Sequence, residues 1–327
     1  MNDPASPTPA TFRELIEFNA PVATWFHCGG KADALARPAT VEELRDLLLA
    51  FACKPVRILG DGANLLVADE GVDGLVVSLE KMDGVEFDEA APGAGPAVLG
   101  KTSEPHAARR KTQAVVIAQA GAKLPQLITE CVRRGLAGLE TLGGIPASVG
   151  GAAVMNAGGS FGQISDCVHA VQGLTRFGER VRVPREEINY SYRHSGLGHL
   201  VVTAVEFSLR KVSAEEPPAL REKLKEVMAY KKNSQPMAAH SAGCCFKNPG
   251  SDASGRQSAG KLIDLAGCKG LRIGGAEVST QHANFVVAHP GCTATDVIAV
   301  MEEVERRVLE HSGIKLEREV VVWRREG

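Results

Sequence analysis

No apolar run in this 327-residue chain approaches the roughly 20 residues a helix needs to cross a bilayer, so no membrane span is expected. Basic charge is not in excess either. The 37 Lys and Arg are balanced by 39 Asp and Glu, a net charge of −2. That excludes a nucleic-acid protein, which needs a basic face to neutralise phosphates. The eight cysteines show no CxxC and no zinc spacing, so no metal site is expected. Most sit in apolar patterns, where a free thiol acts as a small hydrophobe, and this points to a reducing compartment. The first residues, MNDPASPTPATF, lack the charged and apolar segments of a signal peptide, so a cytoplasmic location is expected.

What is present is ordinary for a globular protein: 44% hydrophobic and 23% charged residues, in a chain long enough for two or three domains. Residues 1–11 read as a mobile tail. Residues 23–37 read as two short strands around a Gly29–Gly30 turn. Thr40 and Glu43 form a capping-box pattern before Val41, Leu44, Leu47, Leu48 and Phe51 at helical spacing. Strands follow at 56–59, 65–68 and 75–79, and residues 86–113 read as strand remnants joined by an extended loop. A strand at 114–120 precedes a helix that stops near Gly135. Strands are expected at 168–177 and 200–209, the latter alternating cleanly. A charged helix starts at Pro217–Pro218, and a second helix covers 258–266. A third runs from 295 to 310, and the strand LEREVVVW (316–323) ends the pattern. Alternating helices and strands make this an α/β protein.

Two Gly-containing stretches are candidates for phosphate binding. Residues 143–159 (GGIPASVGGAAVMNAGG) have little charge and few large side chains, and residues 60–66 (GDGANLL) free the backbone at Gly60 and Gly62. Backbone N–H groups without bulky neighbours suit a pyrophosphate. Taken singly, each stretch is more often a tightly packed turn. Three polar residues also stand out: Arg193 in NYSYRHSG (189–196), Cys244 in AGCCFKNPG (242–250), and Glu319 in the terminal apolar segment. Taken singly, these read as a solvated loop, a buried thiol and an edge-strand charge.

Together, the motifs FHCGGKAD, LGDGANLLVADEGVDGLV, GLETLGGIPASVGGAAVMNAGGSFG, YSYRHS, SAGCCFKNP, AGKLIDLAGCKG, VSTQHANFVV and LEREV closely resemble the UDP-N-acetylenolpyruvoylglucosamine reductases. The resemblance runs from about Thr24 to Trp323. It implies an FAD-binding fold of the vanillyl-alcohol-oxidase type in two subdomains (1–82 and 83–212), followed by a C-terminal α/β substrate domain (213–327). It also implies a compact family type, because the link from Arg193 to the strand at Leu200 is short.

By this resemblance, FAD is held non-covalently, its pyrophosphate gripped by Gly60, Asp61, Gly62, Ala63 and Asn64 and by Gly144, Ile145, Pro146, Ser148, Gly150, Gly151 and Ala152. NADPH is the reductant, and the enolpyruvyl UDP-sugar is the second substrate of a monomeric enzyme. Arg193 and Glu319 match the residues that stabilise the enol form. A cation at a developing oxyanion, with a carboxylic acid kept partly protonated by apolar surroundings, suits that task. Cys244 stands where the family usually has a proton-donating Ser. A thiol, with a reference pKa of about 8.5, donates a proton readily, at the cost of exposure to oxidation near Cys245.

The resemblance also marks Tyr192, Lys247 and Asn248 as substrate residues and Gln281 or His282 as a nucleotide contact. The family often has Arg or Lys where His27 stands, and Ser234 replaces an expected Lys, leaving Lys231 or Lys232 to reach the UDP phosphates; Lys232 is taken for that role. Two other readings compete: a flavin oxidase of the same fold acting on another substrate, and a catalytically silent binder of flavin or nucleotide-sugar.

Overall fold

Strand-forming segments of this chain fall into two groups that pair only among themselves. In the computed structural model, which describes residues 15–88, 113–213, 217–251 and 255–326, the chain divides into two units. The first collects Met1–Arg37, Cys53–Val77 and Tyr230–Gly327; the second collects Pro38–Ala52 and Ser78–Ala229. The expected tail at 1–11 and most of the expected loop at 86–113 lie outside the described residues. Among those residues no helix is long and apolar enough to cross a membrane.

The first unit contains a four-stranded sheet in the order Ile16–Pro21, Lys31–Ala36, Val72–Ser78, Val56–Leu59. Its first strand begins earlier than the sequence suggests, and residues 22–30 are irregular. His27 at φ 56° and Gly29 at φ 106° cannot be accommodated in a strand. A parallel pair joins Leu65–Val67 to Val321–Trp323. The expected terminal strand is therefore only its last three residues. Ahead of it, Arg318 makes a single antiparallel bridge to Phe246. Glu319 lies between the two, outside any strand: its N–H closes that bridge by donating to the Cys245 carbonyl, and its C=O is taken by the Asn64 side chain.

The antiparallel strands Arg272–Ile273, Ala276–Val278 and Val286–Ala288 pack against the helix Ala294–Ser312. Val297, Val300, Met301, Val304 and Val308 bury one face of that helix in a core shared with Phe26, Leu66, Phe246 and Ile263. Its start is fully capped. Thr293 and Asp296 cap each other, with the Thr293 N–H donating to Asp296 Oδ2 (3.0 Å) and the Asp296 N–H to Thr293 Oγ1 (3.1 Å). The N–H groups of Ala294 and Thr295 donate to the carboxylate of Asp69 at 2.9 and 2.8 Å, and the Thr295 hydroxyl adds a third bond at 2.7 Å. All four N–H groups that a helix start leaves orphaned thus have acceptors.

The second unit is built on an antiparallel sheet in the order Arg180–Pro184, Val168–Thr175, Leu200–Lys211, Gln113–Gln119, Val85–Asp88, with Leu136–Ala137 added to Leu200–Lys211. The long central strand is buried on both faces over most of its length, not alternately as its sequence suggests. Two polar residues are buried in it, Thr203 and Glu206. Glu206 is buried, and it accepts two bonds from the Arg182 guanidinium (2.8 and 2.6 Å) and one from Gln172 (2.8 Å). The helix Leu124–Arg133 buries Leu124, Leu127, Ile128, Cys131 and Val132, as its periodicity suggests. In the helix Val41–Ala50, Thr40 accepts from the Glu43 N–H, but Glu43 Oε2 takes the N–H of Ala39 rather than that of Thr40. The charged helix spans Pro217–Ser234.

Candidate functional site

The turn at residues 60–64 follows the strand Val56–Leu59 in the first unit. Gly62 has φ 65°, and a Cβ there would come within 2.3 Å of the Ala23 carbonyl oxygen, so only glycine fits. The Gly62 carbonyl accepts from Trp25 N–H at 3.1 Å. The N–H groups of Gly62 and Ala63 donate to no backbone carbonyl among the described residues. Asn64 has a second task. Its side-chain amide donates to the Glu319 carbonyl (3.0 Å), and its own carbonyl accepts from Val321 N–H (3.1 Å). The turn and the Glu319 segment are therefore one piece of structure.

The thiol turn lies in the same unit. Cys245 is buried and Cys244 half-buried. Burial pushes the Cys245 thiol up to about 12, while the Val286 N–H works weakly against that. Cys245 is thus an inert plug and Cys244 the accessible thiol of the pair. The backbone groups of Cys245 and Phe246 and the N–H of Lys247 are engaged. Cys245 N–H donates to the Asn284 carbonyl (2.8 Å), and Lys247 N–H to the Glu317 carbonyl (2.8 Å). The Cys245 carbonyl accepts from Glu319 N–H at 2.7 Å and Val320 N–H at 3.3 Å. Phe246 N–H donates to Asn284 Oδ1 (2.9 Å), and Asn284 Nδ2 donates to the Phe246 carbonyl (2.8 Å).

Four expected substrate residues surround this frame with tasks of their own. Lys247 pairs with exposed Glu317. Asn248 Oδ1 accepts from Ala259 N–H (2.9 Å) at the start of the helix Ala259–Leu265. Gln281 donates to the carbonyls of Lys232 and Asn233 at 3.4 and 3.3 Å, tying it to the end of the helix Pro217–Ser234. His282 accepts from Asn284 N–H (3.2 Å) and meets Phe285 edge-on, and burial pushes its pKa down, favouring a neutral ring. Lys232 is exposed and Lys231 buried.

The long Gly-rich stretch belongs to the second unit. Gly144 has φ 73°. Ser148 caps the short helix Val149–Val154, its hydroxyl accepting from Gly151 N–H at 3.3 Å. Val149 and Gly150 N–H groups go to the carbonyls of Ala122 (2.8 Å) and Ala120 (2.9 Å). A Cβ on Gly150 would lie 2.7 Å from that of Ala120, so this glycine is required by packing. The N–H groups of Gly144, Ala147 and Ser148 donate to no backbone carbonyl among the described residues.

Arg193 sits at φ 56° in a tight turn closed by Ser191 and His194, which bond each other's backbone at 2.9 and 3.1 Å. Its guanidinium lies 5.1 Å over the Tyr192 ring. Two anchors fix the turn to the Gly-rich helix. The Ser195 hydroxyl donates to the Val154 carbonyl (2.7 Å), and buried Asn156 donates to the Ser191 carbonyl (2.9 Å) and Gln163 Oε1 (3.0 Å). Asn156 and Asn284 were not singled out from the sequence. Their signal was an Asn set among small or apolar neighbours, in MNAGG and ANFVV.

FAD fits what each unit offers. The turns at 60–64 and 143–148 carry unspent N–H groups without bulky side chains, the donor set a pyrophosphate takes. Comparison with known proteins agrees. A family model described as FAD binding domain matches residues 32–184. One described as UDP-N-acetylenolpyruvoylglucosamine reductase, C-terminal domain, matches residues 235–323. The UDP-N-acetylenolpyruvoylglucosamine reductase of Moorella thermoacetica is 40% identical over 303 residues, covering 92% of this chain and 89% of that protein. Its counterpart in Desulfosudis oleivorans is 36% identical over 323 residues, covering 95% of each. The crystal structure of the Thermus caldophilus enzyme matches with a TM-score of 0.72 at 35% identity, over 92% of this chain and 95% of that one.

Proposed function

The chain belongs to the UDP-N-acetylenolpyruvoylglucosamine reductase family, and from that premise we propose that it uses NADPH to reduce the enolpyruvyl ether of UDP-N-acetylglucosamine to UDP-N-acetylmuramate, a step in peptidoglycan precursor synthesis. Bound FAD supplies the hydride carrier between the two substrates. The observation that carries the reading is the hydrogen-bonded frame in which the Cys245 carbonyl accepts from the Glu319 N–H at 2.7 Å, setting an accessible thiol turn beside a half-buried carboxylate.

In this reading, addition of hydride to the vinyl carbon leaves an electron pair on the neighbouring carbon and its carboxylate. Arg193 and Glu319 stabilise that enolic charge, Arg193 through a guanidinium preset by a strained turn and the Tyr192 ring. The Cys244 thiol then delivers the proton to the neighbouring carbon and is reprotonated from solvent. The turns containing Gly60 to Asn64 and Gly144 to Ser148 hold the FAD pyrophosphate through backbone N–H groups. Gly150, Gly151 and Ala152 let that second turn pack closely. Tyr192, Lys232, Lys247, Asn248, Gln281 and His282 contact the UDP-sugar, with Gln281 and His282 acting from fixed positions. Residues 1–82 and 83–212 form the two FAD-binding subdomains and 213–327 the substrate domain. The enzyme acts as a monomer in the cytoplasm.

The test is one spectroscopic sequence. Purified protein is examined for a flavin spectrum, reduced anaerobically with NADPH, and then given the enolpyruvyl UDP-sugar. Bleaching by NADPH and recovery of colour on adding the sugar support the reading. Rapid reoxidation by air with no response to the sugar shows an oxidase instead, and binding of flavin without turnover shows a silent relative.

A further inference from the structure

Asn284 is buried in the first unit and has no role in the chemistry assigned above. Its carboxamide does what a neighbouring strand would do. It accepts from the Phe246 N–H (2.9 Å) and donates to the Phe246 carbonyl (2.8 Å), while its own backbone carbonyl takes the Cys245 N–H (2.8 Å). Three of the four backbone groups of Cys245 and Phe246 are thus held by one residue. The fourth group, the Cys245 carbonyl, receives the Glu319 N–H. Few other side chains could do this. The task needs a donor and an acceptor on one short planar group, which Asn provides and Asp, Ser or Leu do not.

We propose that Asn284 is a positioning residue for the reaction, setting the thiol turn of Cys244 and, through the Cys245 carbonyl, the segment carrying Glu319. It touches no reacting atom; it fixes the direction from which the proton is given. The proposal rests on the reductase reading above. Losing it tilts both groups together, and displacements of the order of 1 Å at a reacting geometry cost about 100-fold in rate. The effect falls on one half-reaction only. Reduction by NADPH needs neither the thiol nor the carboxylate, whereas reoxidation by the sugar needs both.

The experiment compares Asn284→Ala and Asn284→Asp with the unaltered holoenzyme by anaerobic stopped flow, following flavin reduction and reoxidation separately, in water and in deuterium oxide. Thermal unfolding and flavin content are recorded alongside. Expected are a reduction rate within about 2-fold of the unaltered enzyme, a reoxidation rate lowered by about 10- to 100-fold, and a larger solvent isotope effect on reoxidation, because the proton step is now the misaligned one. Should Asn284→Ala lose its flavin, Asn284→Asp keeps the shape and the acceptor, and is read by the same criteria. Equal losses in both half-reactions, or unchanged reoxidation, overturn the positioning role while leaving the reductase reading intact. Failure of the unaltered enzyme to reoxidise with the sugar overturns the reductase reading, and the proposal with it.

Discussion

Replacing Asp69 with Ala would expose how much the helix Ala294–Ser312 depends on a residue 225 positions away in sequence. The carboxylate accepts from Ala294 N–H, Thr295 N–H and the Thr295 hydroxyl, all within 2.9 Å. Asp69 is exposed, so water replaces it in part, and the loss is set by capping and dipole effects rather than by a buried charge. We expect a cost of about 1–2 kcal/mol, equivalent to a rise of roughly 5- to 30-fold in the opening of the first helical turn.

Hydrogen exchange of the segment containing Ala294 to Val297 reads that opening directly. The pH dependence has a definite sign. Partial burial works to raise the Asp69 pKa, but the bonds from Thr295 and Ala294 prevail and hold it below the ordinary 3.8. A depressed carboxylate pKa stabilises the folded state above the unfolded value and ceases to do so as pH falls through the folded one. The difference between the two proteins should therefore be constant near neutrality and close only below pH 3.8. Exchange in the first turn that is unchanged at neutral pH would refute the capping argument.

Cys244→Ala should still be bleached by NADPH but lose reoxidation by the sugar about 100-fold or more, and Cys244→Ser should retain substantial activity; half-reaction kinetics check both. Gly62→Ala forces a side chain into a φ of 65° with its Cβ 2.3 Å from the Ala23 carbonyl oxygen, so we expect weaker flavin retention and a stability loss of at least about 1–3 kcal/mol, read by flavin release on heating. Arg182→Met leaves the buried Glu206 carboxylate without its guanidinium bonds, keeping one bond from Gln172, and urea unfolding should show a loss of about 3 kcal/mol, less in a double variant that also carries Glu206→Gln.

Periodic features were legible in the sequence and polar detail was not. The helix Ala294–Ser312 announces itself because Val297, Met301, Val304 and Val308 recur on one face, and the strand Leu200–Lys211 by its apolar and β-branched residues, although it is buried on both faces and not on one. Residues 22–30 misled because a short apolar run looks the same whether it pairs or wraps, and the positive φ at His27 leaves no mark on composition. Glu319 was read into a strand because its neighbours are β-branched. Its N–H does pair, with the Cys245 carbonyl, but its own carbonyl goes to the Asn64 side-chain amide, a partner remote in sequence, and the pairing stops there. The double use of Asn64 was invisible for the same reason. So was the contrast between Cys244 and Cys245, which depends on which thiol faces the core.

The parallel pairing of Leu65–Val67 with Val321–Trp323 has a consequence in time. Asn64 and the Glu319 carbonyl it holds are 255 positions apart, with nearly all of the second unit translated between them. At ribosomal rates of about 5–20 residues per second, the turn at 60–64 waits roughly 13–50 s for the segment that completes it. The second unit, drawn mostly from one continuous stretch, meets no such delay. The first unit must keep an unpaired strand from misassociating throughout that interval, so its yield in the cell should respond to translation speed and to chaperones far more than that of the second.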